Sequence, residues 1–419
     1  MNFLMISQCG EGAGILKQIQ DEGNDCEIYI KEKLYHTVYE GLLTMTEIIE
    51  PDEDTVIIFD MSGQGDLADD LISEGYKVYG ASGWADQLET DRQFGLDVMR
   101  ASGIKLPLTE EFKDFEDVSE FLDKNEYKRF VFKPSGKMPC KLTYCSEDND
   151  DLTTYMKFVQ EQFGDKIDSF VLQEFVEGDL ISSEIFFDGS KIVGSPNHTV
   201  EAKKALVGDL GPSTGCQGNL IWLAEDSKIV REGVEKIESI LKKEHYVGQI
   251  DLNAVVNDTG VYGLEWTPRF GYDSMPTYLQ MIGIEYGKFF SDIVNGKAKS
   301  WPHKLKELMA VRFTIPPFPA EPEGEKDEEE VQHALANYGI PIRCWETFNK
   351  NIYFYEVMLN EQNQLVHSDG LGVLGLVYHE KPKRIYEILE KIKVPDIQYR
   401  TDLIEVLEKM QIGAKKWQN

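Results

Sequence analysis

Two carboxylates are spaced so that one hairpin could bring them to a common metal ion. Asp251 lies in the segment GQIDLN and Glu265 in GLEWTPRFG, and a turn at 257–260 would place them facing each other on opposite arms. Mg²⁺ prefers oxygen ligands and usually completes its coordination with phosphate oxygens. The pair therefore predicts a Mg²⁺ or Mn²⁺ site, with two solvated hairpin acids as the alternative.

Two lysines flank a short glycine-containing loop. Lys133 ends the strand-like run RFVFK, and Lys141 follows eight residues later, beyond the segment PSGKMPC. One lysine fixed at a strand end and one on a flap could grip phosphate oxygens at two depths. The Walker pattern is absent, and two surface lysines are the alternative interpretation.

Two further segments could bind parts of a nucleotide or another anion. In VLQEFVEGD, the end of a strand at Gln173, Glu174 and Val176 could read an adenine edge, and Asp179 could accept from ribose hydroxyls. The segment 208–218, GDLGPSTGCQG, offers backbone amides that could cradle an anion, or is a plain surface loop. Neither Ser213 nor Cys216 has a His partner at a readable spacing, which argues against a Ser or Cys nucleophile.

The elements that must position these residues fall into three predicted domains. Strands alternate with helices over 1–104, which predicts a doubly wound parallel α/β domain. Residues 105–313 read as a central α+β domain with a small lobe at about 127–195. A final α+β domain is expected over 314–419, entered through the Pro-rich and acidic stretch 314–330.

Several local predictions can be compared directly with a structure. Single helices are expected over 88–102 and 229–243. A long functional loop is expected over 200–218, because the segment has Gly and Pro but no periodicity. The run NIYFYEVML at 351–359 reads as one strand.

Composition limits the classes of partner. The 419 residues carry 43 Lys and Arg against 74 Asp and Glu, a net charge of −31, which disfavours nucleic acid and anionic membrane surfaces. Six scattered cysteines, no apolar stretch of about 18 residues and no signal-like N-terminus predict a cytoplasmic protein. Small-molecule substrates and a monomer or homodimer are expected.

The order of the motifs resembles that of the ATP-grasp enzymes, and more narrowly the phosphoribosylamine–glycine ligases. The resemblance is densest at KVYGASGWADQLETDRQFGLDVM, FVFKPSGKMPCK, VLQEFVEGD, GDLGPSTGCQG and LEWTPRFG. It implies an ATP-grasp fold with a preceding α/β domain and a C-terminal α+β domain. It also implies ATP as cosubstrate and Mg²⁺ or Mn²⁺ as cofactor.

Roles follow from the resemblance residue by residue. Lys133 becomes the α/β-phosphate lysine and Lys141 the flap lysine. Arg269 would hold a transferring phosphoryl group or a substrate carboxylate, and Thr267 stands where the family has a metal-binding Asn. The complete predicted ATP set is Lys133, Lys141, Gln173, Glu174, Val176, Asp179 and Lys203, and the substrate set is Asp209, Gly211, Pro212, Ser213, Thr214, Gly215 and Arg269.

The parts that hold the amine substrate in that family are altered here. The family's GNGGREHA appears as SQCGEGAG with Glu11, its GPExPL as DMSGQGD, its GDPE as GYDS, and its C-terminal GGR as GLG. We therefore expect an ADP-forming carboxylate–amine ligase that uses an acyl phosphate and a different acceptor. The alternatives are an authentic phosphoribosylamine–glycine ligase and a nucleotide-binding protein without catalysis.

Overall fold

The computed structural model describes residues 1–135, 142–319 and 337–419. Lys141 and most of the predicted connection at 314–330 lie outside these ranges. Among the described helices, none combines the length and the apolar character needed to span a bilayer.

The N-terminal part is a parallel sheet covered by helices. Its elements are β1 (Asn2–Ser7), α1 (Ala13–Asp21), β2 (Asp25–Ile30), β3 (Thr44–Met45), β4 (Val56–Phe59), α2 (Gly65–Ser73) and β5 (Lys77–Tyr79). Within the described residues the strand order is β3-β2-β1-β4-β5, and every pairing is parallel. The order reverses between β1 and β4, which opens a crevice at their carboxyl ends.

Two helices follow where one was predicted over 88–102. They are α3 (Gly83–Thr90) and α4 (Arg92–Ala101). The prediction of a single helix is wrong because Asp91 is extended, and its side chain accepts a hydrogen bond from the amide of Phe94, which caps a new helix.

A small lobe with a core of its own comes next. It contains β6 (Thr109–Phe112), α5 (Val118–Lys124), β7 (Phe130–Pro134), β8 (Tyr144–Cys145), α6 (Asn149–Phe163) and β9 (Phe170–Glu174). The four strands in the described part of the lobe form an antiparallel sheet of order β6-β9-β7-β8. Its buried residues, among them Phe130, Phe132 and Phe170, form a cluster separate from the main core.

The largest sheet joins the central and C-terminal parts. Its strands are β10 (Asp179–Asp188), β11 (Ile192–Lys204), β12 (Ser213–Leu223), β13 (Val247–Asn257), β14 (Gly260–Thr267), β15 (Glu307–Thr314), β16 (Ile352–Phe354) and β19 (Val373–His379). Counting the described strands alone, the order is β14-β13-β10-β11-β12-β15-β19-β16. Strands from both sides of the predicted boundary at 314 therefore share one sheet.

Helices and a small ribbon complete the structure. The helices are α7 (Lys228–Glu232), α8 (Glu238–Lys243), α9 (Ser274–Met281), α10 (Tyr286–Val294) and, numbered onward through the described residues, α11 (Pro382–Leu389) and α12 (Leu403–Lys415). The ribbon pairs β17 (Val357–Leu359) with β18 (Leu365–His367). Short 3₁₀ turns occupy Lys33–Tyr35, Phe115–Asp117, Gly164–Lys166, Val207–Asp209, Val234–Ile237 and Glu346–Asn351.

Three further local predictions are wrong. The helix expected over 229–243 is interrupted at Gly233, whose φ of −112° and ψ of −108° are not helical. The loop expected over 200–218 shrinks to 205–212, because β11 and β12 extend into it and pair with each other. The strand expected at 351–359 is two strands in different sheets, separated at Tyr355 and Glu356.

Candidate functional site

One face of the large sheet gathers the predicted metal ligands. Asp251 of β13 lies opposite Thr267 of β14, and the next pair on the same face is Asn253 with Glu265. Side chains directly opposite each other, and those two residues apart, share a face of a sheet. The neighbouring strand β10 adds Glu184 opposite Asp251. These oxygen-bearing side chains therefore project from one surface.

The sequence predicts that Asp251 and Glu265 face each other directly across the hairpin. In the structure the two carboxylates lie diagonally. The turn at 257–260 forms, but the pairing register shifts by one residue between Asn253 and Ala254 because β14 contains an extra residue, Leu264. Without this bulge Asp251 would face Trp266, and Glu265 would project from the opposite side of the sheet. The bulge is what brings the pair together.

Asp251 is a buried carboxyl that has one donor from the protein backbone. The amide of Ser183 donates to its Oδ1 at 3.1 Å. Burial, together with the charge of Glu201, raises the pKa of Asp251 to about 7, although Lys203 opposes the shift. Burial and Asp251 likewise raise the pKa of Glu184 to about 8, and Asn197 donates to this carboxyl at 2.9 Å.

The donor set fits a hard divalent cation that also binds substrate. It offers carboxylate oxygens from Asp251 and Glu265, the hydroxyl of Thr267 and the amide oxygen of Asn253, which are the ligand types that Mg²⁺ takes. Within the described residues, no group of three or more His, Cys, Asp or Glu side chains could hold a metal ion by itself. Any further ligands would be neutral oxygens, water or phosphate.

Positive charges surround Glu265. The Nζ of Lys133, at the end of β7, donates to Oε1 of Gln173 at 2.8 Å. Burial lowers the pKa of Lys133 to about 8, with Glu265 favouring its charged form and Arg92 and Lys203 disfavouring it. Two effects oppose each other on the pKa of Glu265. Desolvation by the surrounding protein acts to raise it, but the positive charges of Lys133, Lys203 and Arg92 outweigh this effect and lower the pKa.

Lys203 and Arg92 complete this set of cations. Lys203 lies on β11 and its Nζ is 3.6 Å from Oε2 of Glu201. The pKa of Lys203 is raised, chiefly by Glu201. Sequence reasoning missed Arg92, which lines a small cavity together with Glu265. Its position inside the helix predicted over 88–102 gave no signal of a charge directed at β14.

The predicted nucleotide residues at the end of β9 have mixed placements. Gln173 faces Lys133, whereas the Glu174 carboxylate pairs with Lys128 at 2.6 Å. Val176 is half-buried and follows β9 outside any helix or strand. The amide of Glu174 donates to Leu108, so this strand end is already bonded to β6's leading segment.

Asp179 does not join the site. It precedes Glu184 by five residues in an unbroken register of β10, so it projects from the other face of the sheet. There its Oδ2 accepts a hydrogen bond from the indole of Trp417 at 2.7 Å. The residue next to it on the site face is Leu180, which is 56% exposed. The expected ribose contact of Asp179 is not supported by this placement.

The predicted substrate loop is attached to the C-terminal part. The Asp209 carboxylate pairs with the buried Arg400 at 2.6 Å, and the Gly208 amide donates to Asp402 at 3.0 Å. Asp209 therefore anchors the loop that contains Gly211 and Pro212. Ser213, Thr214 and Gly215 belong to β12, and the Thr214 hydroxyl donates to the Lys203 carbonyl.

Arg269 and Gly215 line a separate cleft of about 600 Å³. The guanidinium of Arg269 pairs with Glu89 of α3, with Nη2 at 2.8 Å from Oε1, and Nη1 donates to the Phe270 carbonyl. Burial acts to lower the pKa of Arg269, but Glu89 and its other neighbours raise it. This arginine is consequently a permanent charge between the metal-ligand face and the cleft.

Comparison with known proteins identifies the families to which this chain is similar. Residues 90–274 match the family described as phosphoribosylglycinamide synthetase, ATP-grasp (A) domain. This chain is an ATP-grasp ligase similar to phosphoribosylglycinamide synthetase. The predictions of an ATP-grasp fold and of the carboxylate–amine ligase class are confirmed.

Relatives of this ATP-grasp ligase match it over most of their length. Phosphoribosylamine–glycine ligase of Streptococcus pneumoniae R6 is 24% identical over 353 residues, covering 80% of each chain. That of Leptospira interrogans serovar copenhageni is 25% identical over 343 residues, covering 78% of this chain and 77% of the relative. The Thermotoga maritima structure of a phosphoribosylamine–glycine ligase superposes with a TM-score of 0.69 at 20% identity, covering 96% of this chain and all of that one.

Proposed function

We propose that the protein is an ADP-forming carboxylate–amine ligase that works through an acyl phosphate and uses an acceptor other than phosphoribosylamine. One observation supports the nucleotide half above all others. Lys133, Lys203 and Arg92 act on the same carboxylate, Glu265, over the sheet face that also holds Asp251. Converging cations beside paired carboxylates are what a metal-bound polyphosphate requires.

The proposal gives each side chain of this face a task. Lys133 and Lys203 bind phosphate oxygens, and Asp251, Glu265 and Thr267 would hold Mg²⁺. The ion would neutralise phosphate charge when bound. Arg92 adds a further cation at the same end of the nucleotide. Lys141 lies outside the described residues and remains a predicted flap lysine.

The chemistry is charge stabilisation and exclusion of water rather than nucleophilic catalysis by the protein. An oxygen of the substrate carboxylate attacks the γ-phosphorus, and the bond to the β-phosphate oxygen breaks to give ADP. The amine then attacks the carbonyl carbon and inorganic phosphate leaves. Arg269, lying between the nucleotide face and the cleft, stabilises the negative charge that develops on the transferring group.

A second candidate is an authentic phosphoribosylamine–glycine ligase, which the names of the relatives favour. An assay with freshly generated phosphoribosylamine, glycine and Mg-ATP separates the two. Formation of glycinamide ribonucleotide with a kcat/KM of ~10⁴ M⁻¹s⁻¹ or more would establish the second candidate and contradict the altered acceptor.

The general proposal is tested without knowing the amine. Purified protein is incubated with Mg-ATP, single amino acids or other carboxylates, and hydroxylamine, which converts an acyl phosphate into a hydroxamate. We expect ADP and a hydroxamate for a restricted set of carboxylates. Absence of both for every carboxylate, with folded and ATP-binding protein, would contradict the proposal.

A further inference from the structure

A cleft of about 600 Å³ opens where the N-terminal, central and C-terminal parts of the chain meet. Its walls include the loops after β1 and β4, the segment after β14, strand β15 and the region around β16 and β19. The first two loops lie at the point where the strand order of the parallel sheet reverses, which is where ligands bind in open α/β sheets. The cleft is therefore placed to receive a substrate beside Arg269.

The two arginines of the cleft already have carboxylate partners. Arg269 pairs with Glu89 at 2.8 Å. The Nε of the buried Arg312 lies 3.1 Å from each oxygen of the buried Asp273. An incoming phosphate dianion would have to compete with both carboxylates for these guanidinium groups. Lys31 is the remaining lysine or arginine among the described lining residues, and it lies on the exposed rim.

The carboxylates of the cleft differ in how they are bonded. Glu32 accepts from Gln8 at 2.6 Å. Glu356 accepts from the amides of Gly372 and Val373 at 2.6 and 2.8 Å. No hydrogen bond from the described residues reaches the half-buried carboxylate of Glu11, which lies in the loop after β1. Among the described carboxylates that line the cleft, Glu11 is thus the one whose two oxygens both remain available to a ligand.

We propose that Glu11 binds the ammonium group of the amine substrate in this cleft and accepts its proton, which selects amines that carry no phosphate. This inference rests on the proposed ligase function. Tyr35, Tyr272 and Phe318 supply aromatic surface in the same cleft, and aromatic faces attract organic cations. The acceptor is accordingly a primary amine whose remaining part is uncharged or positively charged.

Glu11 is a stronger base than an ordinary glutamate: in the empty cleft its carboxyl is mostly protonated at neutral pH, and the charge of an ammonium group beside it favours the ionised form. Burial raises its pKa to about 8, with Asp60 and Asp273 adding to the shift and Arg269 and Arg312 opposing it. Glu11 in turn acts electrostatically on the nearby titratable groups, which are Cys9, Tyr35, Tyr272, Tyr353 and Tyr355. Glu89 and Glu11 both act on Arg269. A carboxylate of this basicity exchanges a proton with an ammonium group more readily than an ordinary one does.

The proton and electron changes balance in two steps. One proton moves from the ammonium nitrogen to a Glu11 oxygen, leaving a neutral amine and a carboxylic acid. The nitrogen lone pair then forms the C–N bond, the carbonyl C–O bond breaks with its electron pair going to phosphate, and the second nitrogen proton leaves with phosphate as HPO₄²⁻. Glu11 returns its proton to solvent after product release.

A matched pair of probes tests the binding part directly. Ethanolamine and O-phosphoethanolamine differ only by the phosphate, and their binding to the full-length protein is measured by ligand-observed NMR. We expect the wild-type protein to bind ethanolamine at least ~10-fold more tightly than its phosphate ester, and Glu11→Gln to weaken ethanolamine binding by at least ~10-fold. Glu11→Arg should reverse the preference.

Glu32→Gln is the matched control, because it removes from the same cleft a carboxylate that already accepts a hydrogen bond from Gln8. Unchanged ethanolamine binding in Glu11→Gln, an equal loss in Glu32→Gln, or no ethanolamine binding by the wild-type protein would overturn the inference. The hydroxylamine assay on wild-type protein separates this failure from failure of the proposed function, since hydroxylamine traps the acyl phosphate without an ammonium substrate. Thermal melting of each variant establishes that it is folded.

Discussion

Replacing Glu265 with Gln tests the nucleotide half of the site with nearly unchanged side-chain shape. With its pKa at about 7, Asp251 is about half protonated at neutral pH before a metal binds. Glu265, whose pKa is lowered by Lys133, Lys203 and Arg92, is fully ionised there. Glu265 is therefore the ligand that is already ionised before Mg²⁺ binds, and its loss also removes the anion that the three cations share.

We expect turnover of Glu265→Gln to fall by at least ~10², the effect of losing one well-placed electrostatic contact in a transition state. The assay is ADP release coupled to hydroxamate formation at saturating ATP, repeated over a series of Mg²⁺ concentrations. Part of the loss should be recovered at high Mg²⁺ if metal affinity is the weakened property.

The control is Asp258→Asn, which removes an exposed carboxylate from the turn of the same hairpin. It should keep turnover within about twofold of wild type, because the turn residue lies several pairs away from Asp251. Turnover of Glu265→Gln close to that of Asp258→Asn would refute the assignment of Glu265 as a ligand.

Three further predictions concern the product, the pH dependence and the loop anchor. The product nucleotide should be ADP, with ¹⁸O from the carboxylate appearing in phosphate, and formation of AMP and pyrophosphate would contradict the acyl-phosphate route. Because the pKa of Lys133 is lowered to about 8, the lysine loses its charge above that pH, so ATP affinity measured by calorimetry should fall by up to about tenfold per pH unit there. Lys133→Arg should flatten this pH dependence. An ATP affinity of the wild-type protein that does not change between pH 7.5 and 9.5 would contradict the role of the Lys133 charge. Arg400→Ala leaves Asp209 and Asp402 without their buried partner, so denaturant unfolding should show a loss of about 2 to 4 kcal/mol. A loss below about 1 kcal/mol would show that the anchor is dispensable.

The parts of the fold that sequence reasoning predicts are those with strong local signals. Apolar runs such as 2–7 and 55–59 give the parallel sheet, and the turn at 257–260 gives the hairpin. The break of the expected helix at Asp91 depends on one capping hydrogen bond, and the short loop at 205–212 depends on pairing between distant strands. Tertiary contacts of this kind leave little trace in hydrophobic periodicity.

The candidate site shows the same division. Lys133, Asp251 and Glu265 were predicted from residue type and order, but the common face of the two carboxylates depends on the extra residue Leu264, which no pattern indicated. Asp179 was placed wrongly because its position in β10 gives it the other face, and that parity is visible only once the register is known. Arg92 and Glu184 were missed because each reaches the site from an element that is remote in sequence or looks like ordinary core.

The separate hydrophobic core of the small lobe has a consequence for motion. Since its buried aromatic cluster is distinct from the two core clusters in the other described parts of the chain, movement of the lobe relative to the large sheet leaves these buried clusters intact. Opening of this kind costs less free energy than global unfolding, so it can occur repeatedly while the rest of the protein stays folded. We therefore expect amide hydrogen exchange to reveal two protection classes, and nucleotide exchange to accompany movement of the lobe while the large sheet stays intact.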